Sequence, residues 1–383
     1  MPWNTVSVMD EKIRCISDVL NGVLTFSDIC QRYGISRETG YKWVHRYEEE
    51  GASGLEDRAR VPRHCPHKTP PEIEEAILAV RRKHPRWGAK KILTMLERER
   101  HPGPLPGKTT VTNILKRHGC VTPRRTRIHR AHAGKPVTEA SAPNTLWTVD
   151  FKGQFKTLDG VYCYPLTVMD AASRYMLSIL ALPSTARQAT QKEFRRLFQT
   201  YGLPERIRSD NGTPFATVAL GRLSRLSIWW IRLGIVPELI EPGQPQQNGR
   251  HERMHRTLKA ETTRPPEATM TAQQQRFDAF RQECNEIRPH EALQQATPAS
   301  VYTPSSKKLP RRIKSLDYPS HYEVRVVRTN SGIRWKSQWV SVGRLLAGKR
   351  IGLEEVGEGL WDVWFGPIWL GRLDERLWRI VDN

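Results

Sequence analysis

The spacing of the apolar residues changes twice along the chain, and this change limits most strongly what the chain can fold into. Residues 9–50 and 72–118 repeat apolar side chains at helical spacing, residues 145–240 begin with strand-like runs, and residues 306–383 hold short alternating runs between glycines. Apolar residues at helical spacing do not give a strand one apolar face, and apolar residues at every second position do not give a helix one. The 383-residue chain is therefore predicted to form several domains of different class.

Residues 1–60 carry a helix-turn-helix pattern. Gly34 supplies a sharp turn, and Ser36 is placed to cap the helix that follows it. In a DNA-binding domain this second helix would enter the major groove, with Arg37 and Lys42 near its exposed start. Ordinary three-helix cores give the same pattern, so the pattern alone leaves that alternative open.

Residues 61–140 repeat the helical theme and are predicted to form a second helical DNA-binding domain with a basic linker. The predicted helices are 72–84, 89–100 and 108–118. The linker contains Arg124, Arg125 and Arg127. A basic run is usually a solvated linker, but after two candidate DNA-reading units we favour contact with DNA phosphates.

The charge balance favours a polyanionic partner. The formal net charge is +21, and each predicted domain region has more basic than acidic residues, which suits DNA and also a ribosome-like protein. No apolar run approaches the about 20 residues that cross a membrane. The six cysteines form no Cys-x-x-Cys pair, and the start has no signal-peptide pattern. We therefore expect a protein of the cytoplasm, without a membrane partner.

Residues 141–305 are predicted to form a mixed α/β sheet covered by helices. Strands are expected at 146–151, 162–170 and 175–182, followed by alternating helices and strands. Residues 306–383 are rich in tryptophan and glycine, which predicts a small all-β barrel with most of its tryptophans in the core.

Three acidic residues stand out within the α/β region. Alternation along the first strand puts Asp150 on the same face as Thr148, where an unpaired carboxylate is costly unless it binds a cation. Asp210 ends another strand, and Glu252 lies on a helix that begins near Gln246. Taken one at a time, Asp150 fits a salt-bridged strand residue, Asp210 fits part of a turn, and Glu252 fits a solvated helix residue. Together at a sheet edge they would form a site for two Mg²⁺ or Mn²⁺ ions.

The helix that carries Glu252 also has basic side chains. Helical spacing puts Arg256 and Lys259 on the same stripe as Glu252, with His255 beside it. We expect these three residues, together with Asn248, to contact DNA.

Several motifs resemble those of bacterial insertion-sequence transposases of the DDE class, which have a retroviral-integrase-type core. They are Trp147-Thr148-Val149-Asp150, Ser209-Asp210-Asn211-Gly212, the Pro-Gly-Gln-Pro-Gln-x-Asn-Gly-x-x-Glu segment with its basic continuation at 242–259, and Arg288-Pro289-His290-Glu291-Ala292-Leu293. The resemblance implies an RNase H-like core and a location in the bacterial cytoplasm, in association with the nucleoid. It implies that Asp150, Asp210 and Glu252 are the metal-binding catalytic acids and that Lys259 contacts the substrate DNA end.

A transposase of this class would bind the terminal inverted repeats of its element, cleave to expose 3′-hydroxyl ends and join them to target DNA. Two ends require two active sites, so we expect a homo-oligomer, at least a dimer on DNA. One alternative is a catalytically silent helix-turn-helix regulator with an integrase-like core. Another is an RNase H-like nuclease that acts on RNA–DNA hybrids.

Two departures from the family pattern are visible. The interval 211–251 is longer than we expect, and its extra length falls at 222–232, which reads either as a lengthened helix or as a clamp on the DNA end. The zinc-binding amino-terminal unit of retroviral integrases has no counterpart.

Overall fold

The computed structural model describes residues 7–58, 68–121, 138–242 and 244–382. The chain divides into two compact units, Met1–Pro70 and Pro71–Asn383. Within the described ranges, every helix is too short or too polar to cross a lipid bilayer.

The first unit is helical, as predicted. It contains α1 (Val8–Asn21), α2 (Phe26–Arg32) and α3 (Arg37–Glu50). Ser36 caps α3 by accepting a hydrogen bond from Thr39 N at 3.1 Å, and Gly34 adopts φ +62° in the turn before it. The buried face of α1 is centred on Cys15 and Ile16, while Leu20 remains exposed.

The second unit begins with three helices around a small core of their own. These are α4 (Pro71–Lys83), α5 (Ala89–Arg98) and α6 (Lys108–Arg117), close to the predicted bounds. Ile77, Trp87 and Ile92 are among the side chains they bury. Arg98 of α5 donates to the carbonyl oxygens of Ile287 and Gln295 at 3.2 and 2.6 Å, which fixes this helical domain on the region that follows.

A six-stranded mixed sheet forms the centre of the second unit. Its strands are β1 (Leu146–Phe151), β2 (Phe155–Lys156), β3 (Tyr162–Asp170), β4 (Met176–Leu182), β5 (Arg206–Ser209) and β6 (Val236–Leu239). The order is β4-β3-β1-β5-β6, and the short β2 also pairs with β3. The strands β4, β3 and β1 are antiparallel neighbours, whereas β1, β5 and β6 run parallel. The predicted mixed sheet is confirmed.

Helices cover both faces of this sheet. They are α7 (Arg187–Tyr201), α8 (Arg225–Arg232), α9 (Gly249–Thr262), α10 (Met270–Gln282) and the short α11 (Pro298–Val301). Trp147 and Val149 of β1 join the cluster that contains residues of α7 and α8. Thr148 faces the opposite way, against α9. This alternation along β1 is what the sequence predicted.

The long interval between Asp210 and Glu252 contains α8. Ser224 caps α8, and Trp229 and Trp230 are buried against α7. The structure shows a helix in this region, with both tryptophans buried, and contact of the region with a DNA end stays a prediction. On its other side, α8 gives Ile228 and Ile231 to the core of the C-terminal region.

The C-terminal region is all-β, as predicted. Its strands are β7 (Glu323–Val326), β8 (Gly332–Trp335), β9 (Gln338–Ser341), β10 (Arg350–Gly357), β11 (Leu360–Phe365), β12 (Ile368–Asp374) and β13 (Arg379–Val381). They form a five-stranded sheet, β13-β12-β11-β10-β7, and a β8-β9 hairpin; closure into a barrel stays a prediction. Trp335 and Trp361 are buried and both donate to Glu375 Oε1 at 2.9 Å, whereas Trp339 is 42% exposed.

Candidate active site

Two of the predicted acids lie side by side because of the parallel pairing of β1 and β5. The register pairs Thr148 with Arg208, so Asp150 and Asp210 each lie two residues further along their strands. Neighbouring strands are about 4.8 Å apart. The two carboxylates therefore share the carboxyl edge of the sheet, where ligands of α/β proteins usually bind.

The third acid lies on a helix beside this edge, near enough for its negative charge to help raise the pKa of Asp150. Glu252 lies in the first turn of α9 and is exposed. The loop before α9 is held by Arg208, whose guanidinium donates to Gln247 O at 3.1 Å and to Glu238 Oε1 at 2.5 Å. Arg208 and Glu238 are both buried, and the pair joins β5 to β6 and to the start of α9.

Two histidines of α9 attach the helix to the sheet. The imidazole of His251 lies 2.8 Å from Thr148 Oγ1 and 2.6 Å from Thr167 Oγ1. His255 Nε2 lies 2.6 Å from the same Thr167 hydroxyl, and its Nδ1 lies 3.5 Å from Asp150 Oδ2. One turn of α9 is thus held against both β1 and β3, directly beside the acids.

The electrostatics of the edge favour a bound cation. Burial raises the pKa of Asp150 to about 7, and the negative charges of Asp210 and Glu252 add to the effect. Burial also raises the pKa of Asp210. In contrast, burial lowers the pKa of His251 to about 3 and that of His255 to about 2, so both imidazoles are neutral near pH 7. The carboxylates therefore lack a positive partner in these histidines.

The donor chemistry of the edge fits a hard divalent cation. All three acids offer oxygen ligands, and Mg²⁺ usually takes one or two carboxylates, with waters and substrate phosphates completing its shell. Among the described residues, no three acidic, histidine or cysteine side chains approach closely enough to hold a metal by themselves.

The residues predicted to contact DNA fall into three groups. Arg256 and Lys259 are exposed on α9, and Arg37 and Lys42 are exposed on α3 of the other unit. Asn248 and His255 are buried, which differs from their expected position on a DNA-facing surface. The remaining predicted contacts, Arg124, Arg125 and Arg127, lie outside the described residues.

Family models match most of the segments described above. A helix-turn-helix domain model matches residues 11–63 and a homeodomain-like domain model matches 39–115. Two integrase core domain models match 140–245 and 233–298. Together, the two integrase core models span the β1–β6 sheet and α9, so they include all three acids.

Curated relatives agree with the family models. An uncharacterized 31.7 kDa protein of insertion element IS407 from Burkholderia multivorans is 25% identical over 240 residues, which cover 60% of this chain and 82% of that protein. The chain therefore combines helix-turn-helix domains with an integrase core domain and is similar to a protein of an insertion element. The Gag-Pol polyprotein of baboon endogenous virus is 33% identical over 135 residues, which are 35% of this chain and 7% of the polyprotein. The chain thus spans only a small part of that viral relative.

Among solved structures, the catalytic core domain of HTLV-2 integrase in complex with magnesium aligns with a TM-score of 0.35. The two are 15% identical, and the alignment covers 43% of this chain and 99% of that one.

Sequence reasoning missed the residues that position α9 in this integrase core. Thr148, Thr167 and His251 were not assigned a part in the site, and His255 was assigned to DNA. The available signal was the four-residue spacing of His251 and His255, which puts both on one helix face. It could have indicated a buried polar attachment beside Asp150.

Proposed function

We propose that the protein is a metal-dependent DNA transposase, which cleaves the ends of an insertion sequence and joins their 3′-hydroxyls to target DNA. The observation that carries the proposal is the register of β1 and β5. It brings Asp150 and Asp210 to one edge of an integrase core, facing the helix of Glu252.

In this proposal Asp150, Asp210 and Glu252 hold two divalent ions, Mg²⁺ or Mn²⁺. Such ions, when bound, activate the attacking oxygen and stabilise the leaving oxygen of a phosphodiester. The neutral imidazole of His255 lies 3.5 Å from Asp150 and does not compete with a cation for that carboxylate. The buried Thr167 hydroxyl fixes the direction of α9, and with it the reach of Glu252.

The DNA would be bound by separate parts of the chain. The helix-turn-helix segment, with Arg37 and Lys42 exposed on α3, would bind the terminal inverted repeats. Arg256 and Lys259 extend from Glu252 along the exposed side of α9 and would meet phosphates near the reacting end. Since two ends must be joined, the acting species would be a homo-oligomer, at least a dimer on DNA.

The acids are tested by strand transfer with Asp150→Asn, Asp210→Asn and Glu252→Gln. The substrate is a duplex that carries the element's terminal DNA, identified from the sequence flanking the gene. We expect each variant to lose at least about 10³-fold in rate, because removing an essential catalytic group commonly costs this much. Binding of the same duplex in EDTA should remain, since the helix-turn-helix segment is untouched.

Glu286→Gln is the matched control. Glu286 is an exposed carboxylate of the same unit. It lies outside the acid edge, which is the edge of the sheet that carries Asp150 and Asp210, and its variant should keep full activity. Full strand transfer by any of the three acid variants would contradict the metal assignment. A wild-type chain that binds the duplex but never cleaves it in Mg²⁺ or Mn²⁺ would support the silent regulator instead.

A further inference from the structure

A basic cleft lies where the α4–α5 turn meets α9. It measures about 450 Å³, and its walls are formed by Arg86, Trp87 and Lys91 on one side and by Arg256 and Arg288 on the other. The first three belong to the helical domain and the last two to the integrase core. The cleft therefore exists only because the two domains are fixed together.

The charge in the cleft exceeds what its own carboxylates neutralise. Glu261 lies in the wall and is paired with Arg288, which also contacts Glu283. Arg86 and Arg256 are exposed and have no ion pair among the described residues. A solvated face would carry such charges singly, whereas here they converge on one concavity.

Three polar atoms of the cleft wall also lack partners. Within the part of the chain that the structure describes, the buried atoms Trp87 Nε1, Arg288 Nε and Glu261 Oε1 make no hydrogen bond. Buried polar atoms without partners are rare, because each costs free energy. Two of the three are donors, and the wall holds four basic side chains against one carboxylate, so the balance of charge favours an anionic oxygen as ligand.

The cleft is close to the acid edge. Glu252 and Arg256 are one turn apart on α9, and Ala260 in the cleft wall is one turn further. At 1.5 Å per residue, the cleft begins about 6 Å along the helix from Glu252 and reaches about 12 Å from it. These distances match a DNA strand that leaves the acid edge and continues along α9.

We propose that this cleft binds a backbone phosphate of the DNA strand whose end is held at the acid edge. The inference rests on the proposed function for the origin of that strand. The α4–α5 turn of the helical domain thereby becomes part of the DNA surface of the core. Arg86 and Lys91 supply charge, and Arg256 joins the cleft to the stripe that carries Glu252.

The test measures DNA affinity and not catalysis, so it remains valid if the chemistry differs from that proposed. The full-length chain and the variant Arg86→Gln/Lys91→Gln are titrated with a random-sequence duplex of about 30 base pairs in EDTA, from about 50 to 200 mM salt. Loss of one phosphate contact should lower the slope of log Kd against log salt by about 0.9. The Kd at about 0.1 M salt should rise about threefold to tenfold.

Lys192→Gln/Arg195→Gln is the matched control, because it removes the same charge from exposed positions of α7. This control should keep the wild-type slope. Arg86→Gln alone, at an exposed position, should show a part of the loss with an unchanged Tm. An unchanged slope in both cleft variants, or an equal loss in the α7 control, would overturn the proposal.

Discussion

At the scale of single residues, the orientation of α9 depends on hydrogen bonds between threonine hydroxyls of the sheet and two histidines of α9, beside the acid edge. Thr167 is fully buried, and its hydroxyl lies 2.6 Å from both His251 Nε2 and His255 Nε2. Because both imidazoles are neutral, these contacts are ordinary hydrogen bonds between uncharged groups. A buried polar group of this kind contributes little when it is paired and costs much when its partner is removed.

Thr167→Val keeps the shape of the side chain and removes the hydroxyl. We expect the free energy of unfolding to fall by about 1–3 kcal/mol, because buried imidazole nitrogens lose their partner. The strand-transfer rate should fall as well, since the turn that carries Glu252 is no longer fixed. Chemical denaturation and a strand-transfer assay measure the two effects.

The control is Thr200→Val, at an exposed position of α7. Within the described residues its hydroxyl bonds to Arg196 O of α7 itself, at 3.0 Å, so stability and rate should stay near wild type. Equal losses in the two variants would mean that Thr167 has no special part in holding α9.

The sequence predicted the face of Asp150 correctly, but it did not predict the burial of His255. Alternation along a strand has only two faces, and Trp147 and Val149 mark one of them as apolar. On α9, Glu252 and His255 are neighbours three residues apart, so helical spacing alone suggests one shared surface. Which side of α9 meets β1 and β3 is decided by tertiary packing, and this information is absent from a local pattern.

At the scale of elements, α8 takes part in two cores. Trp229 and Trp230 pack into the sheet domain, and Ile228 and Ile231 pack into the C-terminal sheet. Residues 226–231 of α8 are all buried, while Arg225 at its start is exposed. A local amphipathic pattern marks a single covered face and α8 has two, so the sequence of residues 222–232 does not show where this helix packs.

Gly366→Ala should reveal the contact between α8 and the C-terminal sheet. Gly366 has φ +56°, and a Cβ there would lie 2.8 Å from Ile231 Cγ2. The backbone cost of about 1–2 kcal/mol for a left-handed non-glycine residue should therefore be joined by an overpacking cost of about 1–3 kcal/mol. Equilibrium unfolding in urea measures the sum.

Gly348→Ala separates the two costs. Gly348 also has a positive φ, +72°, but a Cβ there meets nothing within 4 Å. It should show the backbone cost alone. If the two alanine variants were equally stable, Ile231 would not be tightly packed against the C-terminal sheet.

At the scale of the whole second unit, the helical domain of α4–α6 is attached to the integrase core by polar contacts. Arg98 donates to Ile287 O and Gln295 O, Lys90 pairs with Glu291, and His84 Nδ1 lies 3.3 Å from Glu283 Oε1. The partners of these residues lie in or beside the Arg288–Leu293 motif. That motif is one of those that resemble the transposase family, and it also forms the attachment surface for the helical domain.

Arg98→Gln should loosen this attachment. The shorter amide cannot reach both carbonyl oxygens, so we expect faster hydrogen exchange in residues 287–296 and weaker protection at the α4–α5 turn. Arg82→Gln is the control, because Arg82 pairs with Glu75 of its own helix. Identical exchange in Arg98→Gln and wild type would show that this arginine does not hold the domain.

The sharing of α8 limits how the chain can be divided for experiment. A fragment that ends at residue 305 would contain every predicted catalytic acid, yet it would leave Ile228 and Ile231 facing water. Exposed apolar surface of this kind favours association between molecules. An isolated catalytic fragment of this chain would therefore need polar replacements on the outer side of α8, and a boundary drawn from domain length alone would miss that requirement.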